Sequence, residues 1–491
     1  MSDLVVGVDV GSQSVKAALF DVAGACAAEA AAPLALRRRG ADEVEQDPEE
    51  FYARALQTVA ECVLEAAADP GDVAAIGIAG QMAGVLGIGA DGRAVTPYDS
   101  WLDTRCSAQV AEIAESAGDE VVARTGCPPM VAHAPKILWW RDERPDVYSR
   151  IAKFVVPSAY VAGRLCALDA DAAFVDWTHL HFTGLADAPA GTWSADLADE
   201  LDVGLERLPR IVAPTAQVGT LTPGAARECG LRAGTPVVAG LGDTAAGTLG
   251  AGVVEPGRLL DTAGTASVLG ISTGEFQADP ARMLIAMRGA VPGQWISLAY
   301  LAGGDLLRWL PAVLGAPLPD LLREAEQAPA ASLLFVPYLG GRILPAAPAA
   351  RGAWSGLGFS HGRGDLVRAV LESVAYEYAG FLDRALALHA GLRPSEVVVI
   401  GGGRDDTFWN HIKASVLGLP YVELARDAVA CWGAALVAAA GCGVVDDLAA
   451  AALRAAVAVE TVEPNHHLHD RYRRRLEDYR ALAAVPEEVL A

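Results

Sequence analysis

The chain has 491 residues, of which 52% are apolar and 20% are charged, so it can form two or three domains with substantial cores and is not a disordered protein. Its formal net charge of −23 repels phosphate backbones and anionic lipid, which argues against nucleic acid or a membrane surface as its main partner. The eight cysteines form no CxxC pair, and this pattern is typical of reduced core residues. No basic and then apolar leader is visible, so we expect a cytoplasmic protein.

The chain opens with two predicted strands joined by a polar turn. Residues 4–9 are apolar, residues 11–14 read Gly-Ser-Gln-Ser, and residues 15–21 return as a second strand. A third strand is predicted near residues 27–36. An Asp-Pro pair at 47–48 then begins a helix, because Asp is a favoured N-cap and Pro is tolerated in the first turn.

The next predicted strand, residues 73–79, ends in a turn flanked by glycines at 80 and 84. Residues 85–88 are expected to continue this strand. The segment Ser-Trp-Leu-Asp-Thr-Arg follows at 100–105, and the region from about 106 to 235 is predicted to be mainly helix and loop.

Near the middle of the chain, a short apolar strand ends in a glycine turn that carries one carboxylate, Asp243. An acid at such a turn can take a proton from a substrate hydroxyl. A single Asp in a turn more often has a local structural role, so the functional interpretation depends on the other glycine-rich turns of the chain.

The second half repeats features of the first. Residues 257–269 contain a strand, a small polar turn and a strand, and they echo the opening hairpin. This weak repeat suggests two similar domains with phosphate-facing hairpins. A helix is predicted to begin at residue 303, and a buried strand at 397–400 leads into three glycines and a helix near 406–417. The uncharged run 428–445 is rich in Ala and Gly, which favours a buried helix over a membrane span.

These glycine-rich turns occur in an order that resembles the FGGY carbohydrate kinases, a family of the actin-like ATPase superfamily. The resemblance covers essentially the whole chain. Any one motif alone is weak, but together and in order they are specific. The segments that carry it lie at 9–16, 45–48, 80–84, 101–105, 242–246, 261–265, 338–342, 351–356, 369–372 and 401–420.

The resemblance implies an α/β fold with two ribonuclease-H-like (actin-like ATPase) domains and an interdomain cleft. Residues 1–247 would form the N-terminal, sugar-binding domain with the first phosphate hairpin. Residues 248–491 would form the nucleotide-binding domain with a helical C-terminal tail. The implied reaction is phosphorylation of a hydroxyl of a small sugar or polyol, with ATP and Mg²⁺ as cofactors. A pentulose such as D-xylulose is the leading substrate, and ribulose, erythritol and glycerol are alternatives.

The same resemblance assigns roles to individual residues. Asp243 would be the catalytic base, and Asp9 would hold Mg²⁺ directly or through water. The sugar would contact Gln81, Met82, Trp101, Asp103, Arg105, Asp243 and Thr244. The nucleotide would contact Ser12, Gln13, Lys16, Thr265, Gly304, Arg308, Gly402, Gly403 and Asp406. Lys16 would supply charge to the phosphates, or it is a solvated strand lysine.

Two positions depart from the family pattern. Members that phosphorylate xylulose usually read Gln-Met-His-Gly where this chain reads Gln-Met-Ala-Gly, so Ala83 removes an imidazole from the expected sugar site. Asp406 falls where related kinases place Asn or Ser. The first departure leaves the identity of the sugar undecided. The second leaves undecided whether residue 406 contacts adenine.

A non-metabolic actin-like ATPase, such as a chaperone or an assembly protein, is the competing prediction. It would share both hairpins and the glycine turns, but it would not need the segments at 80–84 and 101–105. Their presence favours the sugar kinase. The sequence does not decide whether the protein forms a homodimer.

Overall fold

The computed structural model of the protein describes residues 4–263, 267–301 and 303–484, with only the backbone of residues 303–305. The strands of the first half are β1 Leu4–Val10, β2 Ser14–Asp21, β3 Cys26–Pro33, β4 Arg37–Arg39, β5 Glu43–Gln46, β6 Val73–Gly80, β7 Leu86–Ile88, β8 Tyr98–Asp99, β9 Lys153–Val155, β10 Phe174–Asp176, β11 Ala186–Asp187, β12 Thr192–Trp193, β13 Arg210–Val212, β14 Gln217–Thr220, β15 Pro236–Val238 and β16 Leu241–Gly242. Its helices are α1 Pro48–Glu65, α2 Ser107–Ser116, α3 Gly118–Thr125, α4 His133–Glu143, α5 Pro145–Tyr148, α6 Pro157–Cys166, α7 Ala195–Glu200, α8 Pro223–Cys229 and α9 Asp243–Gly250, with 3-10 helices at Trp177–Phe182 and Leu205–Arg207.

The second half is built from fewer elements. Its strands are β17 Leu259–Ala263, β18 Ser267–Thr273, β19 Ile285–Arg288, β20 Trp295–Leu301, β21 Leu334–Val336, β22 Ala353–Ser355, β23 Val397–Ile400, β24 Tyr421–Leu424 and β25 Ala458–Val462. Its helices are α10 Gly303–Leu314, α11 Leu318–Gln327, α12 Arg363–Leu388, α13 Thr407–Leu417, α14 Val429–Gly441, α15 Leu448–Ala455 and α16 His466–Ala483.

The two halves contain sheets with the same strand order. The first sheet runs β3-β2-β1-β6-β15, and the second runs β20-β18-β17-β23-β24. The antiparallel strands are β1, β2 and β3 in the first sheet and β17, β18 and β20 in the second, and two later strands add in parallel to each. This shared topology agrees with the repeat expected from the two hairpins. The exact division after residue 247 stays a prediction.

Helix α1 begins where the sequence predicted it. The Asp47 side chain accepts a hydrogen bond from the Glu49 amide at 3.0 Å, and Pro48 occupies the first turn. Phe51, Leu56 and Val59 are buried, and the helix packs against β2 and β3. One amphipathic face therefore covers the antiparallel side of the first sheet.

The uncharged run near residue 430 forms helix α14, as expected, and it lies directly on the first sheet. A Cβ built on Gly7 of β1 would stand 1.8 Å from the Cys431 carbonyl oxygen, and one on Gly77 of β6 would stand 2.0 Å from that of Ala434. Only glycine permits this approach of helix backbone to strand backbone. The helix also packs on α9, so a C-terminal element closes the N-terminal core. Among the described residues, no helix has the length and apolar character needed to cross a membrane.

We predict that Gly7→Ala destabilises the protein by about 3 kcal/mol or prevents folding, because the new methyl group would overlap helix backbone. Gly380→Ala is the matched control. It lies within α12, and a Cβ there meets nothing within 4 Å. That control should gain about 0.5–1 kcal/mol from helix propensity. Urea unfolding curves measure both changes, and equal stability of the two variants would contradict the packing described here.

Two expectations about strands were wrong. Residues 86–88 do not continue β6 but form β7, which pairs antiparallel with β9 in a separate sheet. The C-terminal tail is not purely helical, because β25 pairs antiparallel with β24 at the edge of the second sheet. In both cases pairing with a distant segment decided the strand, and local sequence carries little information about such pairing.

Candidate active site

Three strands of the first sheet end side by side at the candidate site. In the register of β1 and β6, Asp9 pairs with Ala79 and Val10 with Gly80. In the register of β6 and β16, Leu241 pairs with Ala79 and Gly242 with Gly80. Neighbouring strands are about 4.8 Å apart, so Asp9 and the residue after Gly242 lie two strands apart at one edge of the sheet.

Asp9 is a half-buried residue whose carboxylate lacks a complete set of partners. Its Oδ1 atom is inaccessible to solvent and accepts no hydrogen bond from the described residues. Burial and the nearby charge of Asp243 raise the pKa of Asp9 to about 7, and Lys16 across the hairpin opposes this shift. The interaction with Asp243 places the two carboxylates in one site. An unpartnered carboxylate oxygen of this kind fits a hard cation such as Mg²⁺.

Asp243 is the first residue of α9. Its Oδ1 accepts hydrogen bonds from the Thr244 amide at 2.6 Å and the Thr244 hydroxyl at 3.3 Å. Burial raises the pKa of Asp243, and the Thr244 amide and the neighbouring His179 oppose the shift. Burial, and after it the charge of Asp243, raises the pKa of Tyr300 on β20, and Tyr300 also contacts Thr244. The carboxylate therefore lies where the two halves of the molecule meet.

The loop before Asp243 is held by the 3-10 helix at 177–182. The Gly242 amide donates to the Thr178 hydroxyl at 2.9 Å. Thr178 is held by Asp176, which accepts from its amide at 2.9 Å and from its hydroxyl at 2.5 Å. Sequence reasoning missed Asp176, Thr178 and Tyr300. An Asp two residues before a Thr is a recognisable capping pattern, but nothing local indicated its contact with Gly242.

The tip of the first hairpin is tied to the two predicted sugar-site segments. Trp101 Nε1 donates to the Ser12 hydroxyl at 2.9 Å, and that hydroxyl donates to Gln81 Oε1 at 3.2 Å. Gln81 Nε2 donates to Gln46 at 2.8 Å. Gln13 and Lys16 are exposed. The structure thus brings Ser12, Gln81 and Trp101 together, although the Gln81 amide is already engaged within the protein.

Asp103 and Arg105 belong to a partly buried ion cluster. Asp103 accepts from the Val44 amide at 2.8 Å and pairs with Arg105 at 2.9 Å. Arg105 also pairs with Asp99 at 2.9 Å, and its guanidinium lies 4.3 Å from the Trp139 ring centroid. These contacts give both side chains a structural role next to Trp101. Their contact with a sugar stays a prediction.

Met82 and Ala83 follow β6 and belong to the apolar cluster that includes Leu241 and Ala245, on either side of Asp243. A Cβ on Gly242 would stand 2.4 Å from the Met82 sulfur, so Met82 packs directly on the loop that carries the carboxylate. Ala83 has a φ of +61°, in the left-handed region, and is buried. The position that lacks the usual imidazole is therefore a buried residue next to Met82.

The corresponding edge of the second sheet carries the predicted nucleotide residues. The Gly403 amide donates to the Ala263 carbonyl at 3.0 Å, so the three-glycine turn closes on the second hairpin. A Cβ on Gly402 would meet nothing within 4 Å, which leaves space for a ligand. Asp406 caps α13 by accepting from the Trp409 amide at 2.9 Å.

The remaining predicted nucleotide residues are less completely described. Gly304 lies in the first turn of α10, and Arg308 is an exposed residue of that helix. Thr265, predicted to contact phosphate, lies outside the described residues. All of these assignments to the nucleotide stay predictions.

The two sheets share one topology. A carboxylate lies at the strand ends of the first sheet, and a glycine turn lies at the strand ends of the second. These features define the class of the protein. It has two ribonuclease-H-like domains with an intervening cleft, which is the actin-like ATPase fold. Solved carbohydrate kinases share this architecture over nearly the whole chain. The xylulose kinase of Rhodospirillum rubrum superposes with a TM-score of 0.90 at 28% sequence identity, over 99% of each chain.

Sequence comparison gives the family. The chain matches the N-terminal domain of the FGGY family of carbohydrate kinases over residues 4–250 and the C-terminal domain over residues 262–442. It is 31% identical over 427 residues to a xylulose kinase of Escherichia coli strain K12, covering 84% of each chain. A xylulose kinase of Bacillus subtilis strain 168 is 28% identical over 452 residues, which cover 90% of this chain and 89% of the relative.

The chain belongs to the FGGY family of carbohydrate kinases. It is an enzyme that transfers a phosphoryl group from ATP to a sugar. The predicted family, fold class and enzyme class are confirmed.

Proposed function

We propose that this kinase phosphorylates a pentulose, with D-xylulose as its substrate. Two relatives that cover more than four-fifths of the chain are named xylulose kinases. The alanine at position 83 affects which sugar is bound, and it does not affect the class of reaction. Ribulose, erythritol and glycerol are therefore the comparison substrates.

The observation that carries the proposed mechanism is the pair of carboxylates at the edge of the first sheet. Asp243 lies at the junction of the two halves and Asp9 within electrostatic reach of it. In the proposed reaction Asp243 accepts the proton of the attacking sugar hydroxyl. The hydroxyl oxygen forms a bond to the γ-phosphorus of ATP, the bond to the β,γ-bridging oxygen breaks, and ADP leaves.

Asp9 would hold Mg²⁺ through its unpartnered Oδ1. The cation neutralises charge on the phosphates when it is bound. The backbone of the first hairpin at Ser12 and Gln13 would cradle those phosphates, with Lys16 adding charge and Thr265 contributing from the second hairpin. Gly402 and Gly403 would leave room for adenine and ribose, beside α10 with Gly304 and Arg308. Because the reaction consumes ATP, it fits the expected cytoplasmic location.

A coupled ADP-release assay over D-xylulose, D-ribulose, erythritol and glycerol tests the proposal. We expect D-xylulose to give the highest kcat/KM, and turnover should require Mg²⁺. ADP release that does not depend on any sugar would contradict the proposal and support a non-metabolic ATPase. A higher kcat/KM with ribulose or a polyol would keep the kinase and reject xylulose.

A further inference from the structure

Three buried histidines lie beside the catalytic loop and have no role in the proposed mechanism. His133 begins α4, and His179 and His181 lie on the 3-10 helix at 177–182. Each has at most 5% of its surface exposed. The start of α4 is tied to the end of the 3-10 helix, because the Ala134 amide donates to the Thr183 carbonyl at 3.1 Å. The three rings therefore lie on adjoining elements, and His179 is the one near Asp243.

These rings leave several polar atoms unsatisfied. Within the described part of the chain, no hydrogen-bond partner is found for Nε2 of His133, Nε2 of His179 or either ring nitrogen of His181. Buried polar atoms are normally paired, and a concentration of unpaired ones indicates a missing ligand or water. Burial, together with the other histidines, lowers the pKa of His181 to about 3 and that of His133 well below its usual value. Those two rings are therefore neutral at physiological pH.

His179 has the most defined chemistry of the three. Its Nδ1 lies 2.7 Å from Asp176 Oδ2, and the Asp176 carboxylate can only accept, so Nδ1 carries the proton. In an uncharged imidazole this proton leaves the lone pair at Nε2, and the contact with Asp176 holds it in a fixed direction. The preceding residue, Thr178, accepts from the Gly242 amide, so Nε2 belongs to the same small region as Asp243.

We propose that His179 Nε2 accepts a hydrogen bond from a hydroxyl of the sugar and helps determine which sugar is bound. Asp176 is the positioning residue, because it fixes the tautomer and the orientation of the ring. The inference rests on the proposed function and adds a residue to the sugar site. A polyhydroxylated substrate supplies the donor that the buried nitrogen lacks.

The proposal also explains the alanine at position 83. Compared with the family pattern, the short side chain of Ala83 removes one imidazole from the expected sugar site. The imidazole of His179 supplies a polar atom from another element, the 3-10 helix at 177–182. We therefore expect this kinase to bind its sugar through a set of contacts different from that of relatives with histidine at the position of Ala83.

The test compares His179→Asn with the unmodified protein. Asparagine can still donate to Asp176 from its side-chain amide, but it has no atom at the position of Nε2. We expect the KM for D-xylulose to rise by about 10- to 100-fold and the KM for ATP to stay within about twofold. Monodeoxy analogues of the sugar locate the contact. One of them should bind the unmodified protein weakly, and His179→Asn should cause no further loss with that analogue.

His389→Asn is the control for loss of a buried histidine. His389 Nε2 lies 3.1 Å from the Ser297 hydroxyl in the second half, and we expect no change in sugar KM. A sugar KM within twofold in His179→Asn would overturn the proposal, as would an equal rise in both KM values. If the unmodified protein turns over D-xylulose normally, such a result rejects only the role of His179. If it turns over no sugar, the proposed function fails and this inference fails with it.

A second measurement serves if His179→Asn does not fold. Histidine ¹⁵N spectra of the unmodified protein should show one ring protonated at Nδ1 whose Nε2 resonance shifts when sugar is added without ATP. Absence of such a shift at saturating sugar would overturn the proposal.

Discussion

Asp243→Ala is expected to lower kcat by about 10³- to 10⁴-fold, because the attacking hydroxyl loses its proton acceptor. Sugar binding should change little, since a general base contributes mainly to the transition state. The measurement is single-turnover phosphorylation of D-xylulose, together with calorimetric titration of the sugar. A variant that keeps near-normal turnover would remove Asp243 from the proposed role.

Asp243→Asn is the matched variant for this experiment. The amide keeps the shape of the side chain, and its oxygen can still accept from the Thr244 amide, so the start of α9 should be preserved. Its turnover should be as low as that of Asp243→Ala. If the Asn variant were active and the Ala variant inactive, the role of Asp243 would be structural.

Asp9→Asn is expected to have two opposite effects: loss of turnover by two orders of magnitude or more and a gain in stability of the ligand-free protein. Turnover should fall because the proposed Mg²⁺ ligand is weakened. Stability should rise because a buried negative charge next to Asp243 is removed. At pH 8 the gain is of the order of 2 kcal/mol.

The pH dependence of this gain follows from the direction of the shift. The pKa of Asp9 is about 7 in the folded protein, whereas the usual value is near 3.9. Between these values the folded state binds the proton more tightly, so the Asp9 contribution to stability falls as pH rises from 4 to 7. Above pH 7 the full penalty is present. The gain from Asp9→Asn should therefore be larger at pH 8 than at pH 5.5.

Urea unfolding at the two pH values, without metal, measures the effect. A complementary measurement uses Mg²⁺ and ATP, which should raise the melting temperature of the unmodified protein more than that of Asp9→Asn. An Asp9→Asn variant that is less stable at pH 8 would show that the carboxylate is satisfied in the folded protein.

Local chemistry was enough to predict the elements that carry the site. The cap at Asp47, the two hairpins, the strand before Gly401 and the uncharged helix near residue 430 were all predicted from patterns within about twenty residues. Such patterns reflect capping, turn formation and the periodic burial of side chains, which depend on neighbours in sequence. The order of the glycine-rich turns was also sufficient to indicate the family and the reaction.

What the tertiary structure decided was which polar groups meet. In the sequence, Asp103 and Arg105 cannot be distinguished from an exposed ion pair. In the structure they are held in an ion cluster with Asp99. His179 gave no local indication of function, because its importance depends on Asp176 behind it and on Asp243 beyond Gly242. Tyr300 reaches the same site from the other half of the molecule. Sequence determined the class of chemistry, because strand ends and turns are local. The groups around Asp243 could be identified only from the fold, because Met82, Asp176 and Tyr300 lie far apart in the chain and share only a position in space.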